Sequence, residues 1–430
     1  MHKKNVLIIG SGGREHAIAW KIAQSPLLHR LYIAPGNGGT GFTGTNIPIS
    51  DCDFEAIKRV VLENDIDIVV VGPENPLVQG IADFFESDNL LQDVLVVGPS
   101  KLGARLEGSK DFAKQFMKRH QIPTAAYETF DKSTINKAID FLGRLSAPYV
   151  LKADGLAAGK GVIICNSLDE AVVELKSMLF ESKFGEASSK VVIEEFLNGI
   201  ELSAFVITDG ISYKVLPEAK DYKRVGVGNT GPNTGGMGAV SPVPFAGSDF
   251  MRKVEERIIK PTVNGLLAEN IPYKGFIFFG LMNVNGDPYV IEYNVRLGDP
   301  ETEVIMPRIK SDFLKILIDL GENRLQDSVL ELHNDTAVAV MMVSGGYPGT
   351  YQKGMVINGL DNSDLSVVFH AGTEYLDDSQ TYITAGGRVL AVSATGDNMS
   401  IAREKVYKGI GQLSFTNHFF RTDIGNDLML

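Results

Sequence analysis

Residues 149–161, YVLKADGLAAGKG, run from an apolar, β-branched strand carrying Lys152 into a loop of small residues that holds Gly155, Gly159, Lys160 and Gly161. Glycines let backbone amides approach an anion closely and adopt positive φ, and lysine adds a mobile positive charge, so the composition suits phosphate. A P-loop needs four residues between its glycines and Ser or Thr after the lysine. Here three residues separate Gly155 from Gly159, and Gly161 follows Lys160, so the motif fails on both counts. Two readings remain: a glycine-rich hairpin turn with a solvated lysine, or a loop that handles phosphate in another way. The rest of the chain decides between them.

Toward the N-terminus, the first hundred residues alternate short apolar strands (6–9, 31–34, 66–71, 94–97) with helical stretches near 15–24, 54–63 and 77–86. Strands that are apolar on both faces and interleaved with helices predict a parallel α/β sheet, in which ligands bind at the carboxyl ends of the strands. The loops there are GSGGREH (10–16), APGN (34–37) and GPENP (72–76), and the first opens a helix whose N-terminus suits a phosphate. A dinucleotide site is disfavoured, because the G-x-G-x-x-G pattern needs glycine where Glu15 stands and the second strand ends in Pro35 instead of an acid. His16 reads equally as a solvent-facing turn residue and as a substrate contact.

Between that sheet and the glycine loop, Ser109 in LEGSK (106–110) is placed to cap a helix over 109–120, whose Lys114 and Lys118 read as a solvated face. Residues 123–190 have the size and pattern of a small lid. The strand VVIEEF (191–196) ends in paired acids and leads to Glu201; Glu194 and Glu201 suit an amine or ribose hydroxyls, and equally suit ordinary strand-end acidity. In KDYKRVGVGNTGPNTGGMG (220–238) the last thirteen residues contain six glycines, which predicts a long loop without regular structure, of the kind that serves a site. Beyond a helix near 253–269, an apolar strand at 275–284 turns at Asn285-Gly286 into PYVIEYN, a hairpin signal. Strand alternation sets Glu292, Asn294 and Arg296 on one side and Tyr293 on the other. A carboxylate beside an amide oxygen suits Mg²⁺, and Arg296 suits a phosphoryl group or a carboxylate. A surface strand offers the same E-x-N, so the continuation RLGDPETE (296–303) carries the weight.

The whole chain, 430 residues with 44% hydrophobic and 22% charged, fits an enzyme of two to four domains. A net charge of -12, from 41 basic and 53 acidic residues, argues against nucleic acid or anionic membranes as partners and leaves small molecules. Cys52 and Cys165 form neither a disulfide framework nor a metal spacing, and the apolar run 6–9 stops at Gly10, short of a signal peptide or membrane span. A reducing, cytoplasmic setting is expected.

In chain order, GSGGREHA, APGN, VGPE, LEGSK, LKADGLAAGKGV, IEEFL, DYKRVG, NTGPNTGGMGA, EYNVRLGDPET, SGGYPG, FHAGT and GGRVL span essentially the whole sequence. This series resembles the ATP-grasp superfamily and, within it, the phosphoribosylamine–glycine ligase (glycinamide ribonucleotide synthetase) family. The resemblance implies an N-terminal parallel α/β substrate-binding domain (1–103), a central ATP-grasp α+β fold (104–327) with a mobile lid subdomain near 123–190, and a C-terminal strand-rich α+β domain (328–430). It implies ATP-dependent ligation of glycine to 5-phosphoribosylamine through glycyl phosphate, giving glycinamide ribonucleotide, ADP and phosphate in purine biosynthesis. Mg²⁺ or Mn²⁺ would assist, in a monomer or weak homodimer.

By match to the family's motifs, Lys110 and Lys152 would reach the nucleotide phosphates, and the loop with Gly155, Gly159, Lys160 and Gly161 would close over them. Glu194 with the backbone through Glu195, Phe196 and Leu197 would hold the adenine, and Glu201 the ribose. Glu292 and Asn294 would be the metal ligands. Gly12, Gly13, Asn37 and Glu74 would face phosphoribosylamine, while Asp221, Arg296, Gly235 and Gly236 would lie near glycine and the transferred phosphoryl group. Lys152, Asp221 and Arg296 are the expected catalytic set. The strand 276–284 lacks the further acid that many relatives carry, so the metal would rest on Glu292, Asn294, phosphates and water. His370 reads as structural.

Overall fold

Five strands, all paired in parallel, form the first sheet in the order Thr45–Asn46, Leu28–Pro35, Lys4–Gly10, Ile68–Val71, Leu95–Val97. The computed structural model describes residues 2–157, 161–360 and 366–429. Lys4–Gly10 is central because both its faces are apolar: Leu7 and Ile9 enter one core, Val6 and Ile8 another, all four fully buried. Each such side chain contributes about 1.5–3 kcal/mol on burial. Phe54–Glu63 is the expected helix, capped by Asp53, whose carboxylate accepts from the Ala56 N–H at 3.0 Å. The single helix expected at 77–86 is instead two, Glu74–Gln79 and Ile81–Ser87, because Gly80 sits at φ +95° between them and ends the first.

A second sheet of eight strands runs in the order Asp287–Asn294, Gly275–Val284, Ile200–Thr208, Tyr213–Asp221, Gly238–Ser241, Thr336–Val343, Arg388–Gly396, Val367–His370, each pair antiparallel. Gly238–Ser241 pairs with Thr336–Val343, so the strands beyond residue 328 are joined to the central ones by backbone hydrogen bonds as well as by packing. A third sheet, Tyr127–Asp131, Lys190–Glu195, Tyr149–Ala153, Val162–Cys165, carries the helices Ile135–Leu142 and Leu168–Phe180 over a core of its own that includes Phe130, Leu142, Leu151, Leu175 and Ile193. The mixed α/β class agrees with the sequence reading.

Two further expectations are corrected. Residues 220–238 are not free of regular structure, since Arg224–Gly226 and Thr230–Asn233 form an antiparallel hairpin. Gly228 and Asn229 supply positive φ at its turn (+70° and +57°), and its second strand is exposed, so its glycines forfeit little packing. The helix expected over 253–269 is Ser248–Val254 and Lys260–Ala268 joined by a π-helical turn, Glu255–Ile259, just ahead of Pro261, which lacks the N–H that a regular ladder requires. Among the described residues, no helix is long and apolar enough to cross a membrane.

Candidate active site

The hairpin Gly275–Val284 and Asp287–Asn294 turns at Asn285 and Gly286, both at positive φ (52° and 87°), as its Asn-Gly sequence predicts. Its register sets Gly280 opposite Glu292, and a Cβ on Gly280 would lie 3.0 Å from the Glu292 Cγ; the bare glycine is the space the carboxylate occupies. Tyr293 faces the other way and its hydroxyl hydrogen-bonds that of Thr262 at 2.8 Å. Asn294 Oδ1 accepts from Arg296 Nη2 at 3.2 Å, and the same guanidinium meets Glu107 at 3.0 Å and Glu74 at 3.6 Å. Glu107 also accepts from the Val295 N–H at 2.8 Å, fixing the strand's end.

Burial works against ionisation of Glu292, but Lys223, Lys152, Lys110 and Arg296 outweigh it and hold the carboxyl below its usual range. No hydrogen bond or ion pair closes on that carboxylate among the described residues. With Asn294 Oδ1 beside it, the pair fits a hard cation that completes its shell with phosphates and water. The described residues contain no group of three or more His, Cys, Asp or Glu arranged for a metal, which matches the missing strand acid.

Lys152 lies on the third sheet beside Glu194 of the neighbouring strand. Its Nζ meets Glu194 Oε1 at 3.0 Å and donates to the Ile291 carbonyl at 3.1 Å, which ties the third sheet to the strand of Glu292. Lys110 begins the helix Lys110–Arg119, capped by Ser109 as expected, and donates to the Gly155 carbonyl at 3.3 Å. Lys114 is not a solvated residue: it is buried, meets Glu194 Oε2 at 3.0 Å and donates to Thr124 at 2.7 Å. The missed signal was its spacing of four from Lys110, which puts both on one helix face. Burial lowers the Lys114 ammonium to about 8 against the pull of Glu194.

Of the remaining expected nucleotide contacts, Gly155 packs its Cα side against Ala187 and Gly161 accepts from the Ala153 N–H at 2.8 Å; Gly159 and Lys160 lie outside the described residues. Glu195 accepts from the Ala126 N–H at 2.8 Å, Phe196 is exposed, Leu197 is half-buried, and exposed Glu201 pairs with Lys223 at 2.9 Å.

The loops of the first sheet meet the segment after Asn294. A Cβ on Gly12 would lie 3.1 Å from Asp299 Oδ2, and one on Gly13 2.3 Å from Glu303 Oε1, so a side chain at either place would have to displace an acid. Asn37 is spent internally, donating to the carbonyls of Ser11 (2.9 Å) and His370 (2.7 Å) and accepting from Gly39 and Thr40. It shapes the loop. His16 faces neither solvent nor cleft; its Nδ1 accepts from the His370 N–H at 2.8 Å, and burial holds it near 3. His370 is buried against Thr373. From the glycine-rich segment, Gly236 abuts Asp221 and Pro300, and Gly235 abuts Arg388. Asp221 Oδ1 has no hydrogen-bond partner, and burial followed by Glu301 pushes its carboxyl well above the usual range. Lys223, Lys152, Lys110 and Arg296 thus act together on Glu292, while Gly12 and Gly13 abut Asp299 and Glu303, and Gly236 abuts Asp221.

Three family models match in succession: phosphoribosylglycinamide synthetase N domain over residues 4–107, its ATP-grasp (A) domain over 108–302 and its C domain over 337–427. The chain is 45% identical over 425 residues to the phosphoribosylamine–glycine ligase of Escherichia coli K12, covering 98% of this chain and 97% of that protein. A bifunctional purine biosynthetic protein of Schizosaccharomyces pombe is 44% identical, with 98% of this chain matching 53% of that protein. The crystal structure of a phosphoribosylamine–glycine ligase from Thermotoga maritima superposes with a TM-score of 0.86 at 37% identity, over 98% of this chain and 100% of that one. At 17% identity and a TM-score of 0.73, the biotin carboxylase domain of a Hydrogenobacter thermophilus 2-oxoglutarate carboxylase shares the fold over 98% of this chain and 92% of its own.

Proposed function

The chain belongs to the phosphoribosylglycinamide synthetase family, and on that premise we propose the route by which it joins glycine to 5-phosphoribosylamine: ATP first converts glycine to glycyl phosphate, which the amine then attacks. The products are glycinamide ribonucleotide, ADP and phosphate, a step of purine biosynthesis. The observation that carries the route is the set of four cations, Lys110, Lys152, Lys223 and Arg296, gathered on the Glu292 carboxylate at the mouth of the glycine-rich segments.

A carboxylate resists attack by an amine because its oxygen is a poor leaving group; phosphorylation makes that oxygen leave as phosphate. Phosphoryl transfer is chiefly positioning and charge neutralisation, so lysines and an arginine suffice without a protein nucleophile. Lys110 and Lys152 hold the ATP phosphates from two elements, one at a helix start and one on the lid sheet. Arg296, fixed by Glu74, Glu107 and Asn294, is aimed at the group in transfer. Mg²⁺ or Mn²⁺, held by Glu292 and Asn294, would neutralise phosphate charge when bound. Glu194, already paired with Lys114 and Lys152, sets those lysines beside the adenine pocket, and Glu201 and Lys223 border the ribose. Asp221, beside Gly236, borders the glycine. Correct placement of reactants is worth about 7–11 kcal/mol, and a lid that excludes water protects the acyl phosphate. We assign the lid role to the subdomain built on the third sheet and expect a cytoplasmic monomer or weak homodimer.

ADP release measured with each substrate omitted in turn tests this. Release is expected only with glycine present, and it reaches its full rate only with phosphoribosylamine as well. ADP formation indifferent to glycine would overturn the reading.

A further inference from the structure

Asp299 sits at the point where the first sheet's opening loop meets the segment that carries Arg296. Arg388, from beyond residue 328, donates through Nη1 to the Asp299 carbonyl at 2.7 Å and brings Nη2 to 3.0 Å from Asp299 Oδ1, an ion-pair contact without hydrogen-bond geometry. Arg14 donates to the Leu297 carbonyl at 3.1 Å and steadies the same turn from the other side. The remaining oxygen, Oδ2, accepts no hydrogen bond among the described residues and faces Gly12, 3.1 Å from where a Cβ would stand. Next to it Glu303 is fully buried, with neither carboxyl oxygen hydrogen-bonded, directed at Gly13. Burial first, and then Asp299, push the Glu303 carboxyl well above the usual range, while Arg388 pulls it down. A protein does not keep two acids and an arginine in such a place for packing, since burying charge is costly unless it is matched.

The second half of the reaction needs a group with this geometry. We propose that Asp299 is a catalytic residue for the transfer step, accepting through Oδ2 the proton that the phosphoribosylamine nitrogen sheds as it attacks the acyl phosphate. The nitrogen lone pair forms the new C–N bond and one N–H proton passes to the Asp299 carboxylate. The bond from the carbonyl carbon to the phosphate oxygen breaks, its electron pair leaving with phosphate, and the proton on Asp299 passes to solvent as products leave. The other titratable groups nearby are already committed: His16 is engaged through Nδ1, Glu15 accepts from the Gly12 N–H and pairs with Arg14, Glu303 is fully buried against Gly13, and Asp221 is directed at Gly236. Arg388 is then a positioning residue. This rests on the acyl phosphate route above, and the two halves of that route separate the two claims.

The test compares two acceptors for glycine activated by ATP: phosphoribosylamine, and hydroxylamine, a stronger nucleophile that reaches the acyl phosphate from solvent and sheds its proton to water as it forms glycine hydroxamate. In Asp299→Asn, transfer to phosphoribosylamine is expected to fall by about 10²–10⁴-fold while hydroxamate formation stays within about twofold of wild type. The retained hydroxamate reaction also reports that the variant is folded. Asp299→Glu, which keeps a carboxylate, is expected to recover part of the lost rate. Parallel loss of both reactions, retention of both, or a glutamate variant no better than the asparagine one would overturn the assignment. Wild-type protein that forms no hydroxamate at all would instead overturn the acyl phosphate route, and this proposal with it.

Discussion

At Lys114 the helix spacing that sets it on the same face as Lys110 has brought a charge into the interior, against Glu194. Its ammonium titrates near 8 in the folded protein against an ordinary 10.5. Below about 8 both folded and unfolded chains hold the proton; between there and 10.5 the unfolded chain holds it and the folded one does not, so stability from this group rises with pH across that window. Denaturant unfolding of wild type and Lys114→Met at pH 7.5, 9 and 10 should therefore show the wild type gaining on the variant as pH rises, by a total on the order of 3 kcal/mol if the window were spanned. A difference that stays flat would mean that Lys114 is solvated after all. In the sequence the one sign of this was the spacing of four from Lys110; the partner that buries it, Glu194, lies eighty residues away. The strand positions of Lys152 and Glu292 were legible from strand alternation and the Asn-Gly turn, whereas the roles proposed for them came only with the resemblance that RLGDPETE carries.

At the scale of elements, the hairpin Arg224–Gly226 and Thr230–Asn233 owes its place to the C-terminal segment. Arg421, 1% exposed, donates to the Arg224 carbonyl at 3.0 Å and to Asn229 Oδ1 at 2.9 Å while its Nη2 pairs with Asp423 at 2.7 Å; Asp423 in turn accepts from the Gly228 N–H at 2.8 Å. Removing one partner of a buried ion pair typically costs about 3–5 kcal/mol. Arg421→Met should lose stability of that size in thermal or denaturant unfolding, with limited proteolysis cutting first near residue 228; wild-type stability would mean the anchor is idle. Glycine count alone read this segment as an unstructured loop, because the partners that order it lie some two hundred residues later. The parallel sheet, the Asn-Gly hairpin and the capped helix at Ser109 were legible, since strand alternation, turn chemistry and caps are local signals. The acid pair Asp299 and Glu303 stands out only once Gly12 and Gly13 are seen against it.

For the whole molecule, the proposed reaction space would draw on every part of the chain: Gly12 and Gly13 from the first sheet, Lys152 from the third sheet, Glu292 and Arg296 at the edge of the eight-stranded sheet, and Arg388 from the C-terminal strands. Backbone pairing across residue 328 joins the strand that begins at Arg388 to the central ones. Such a construction makes sense if two chemical steps share one enclosure, glycine being activated beside Arg296 and then met by the amine held at the first sheet's loops. The fate of the glycine carboxylate oxygen tests this most directly. With glycine labelled by ¹⁸O in both carboxylate positions, ATP and phosphoribosylamine, mass analysis of the released phosphate should find one glycine-derived oxygen in each phosphate formed. Phosphate free of ¹⁸O, at a time when glycinamide ribonucleotide is accumulating, would contradict the account.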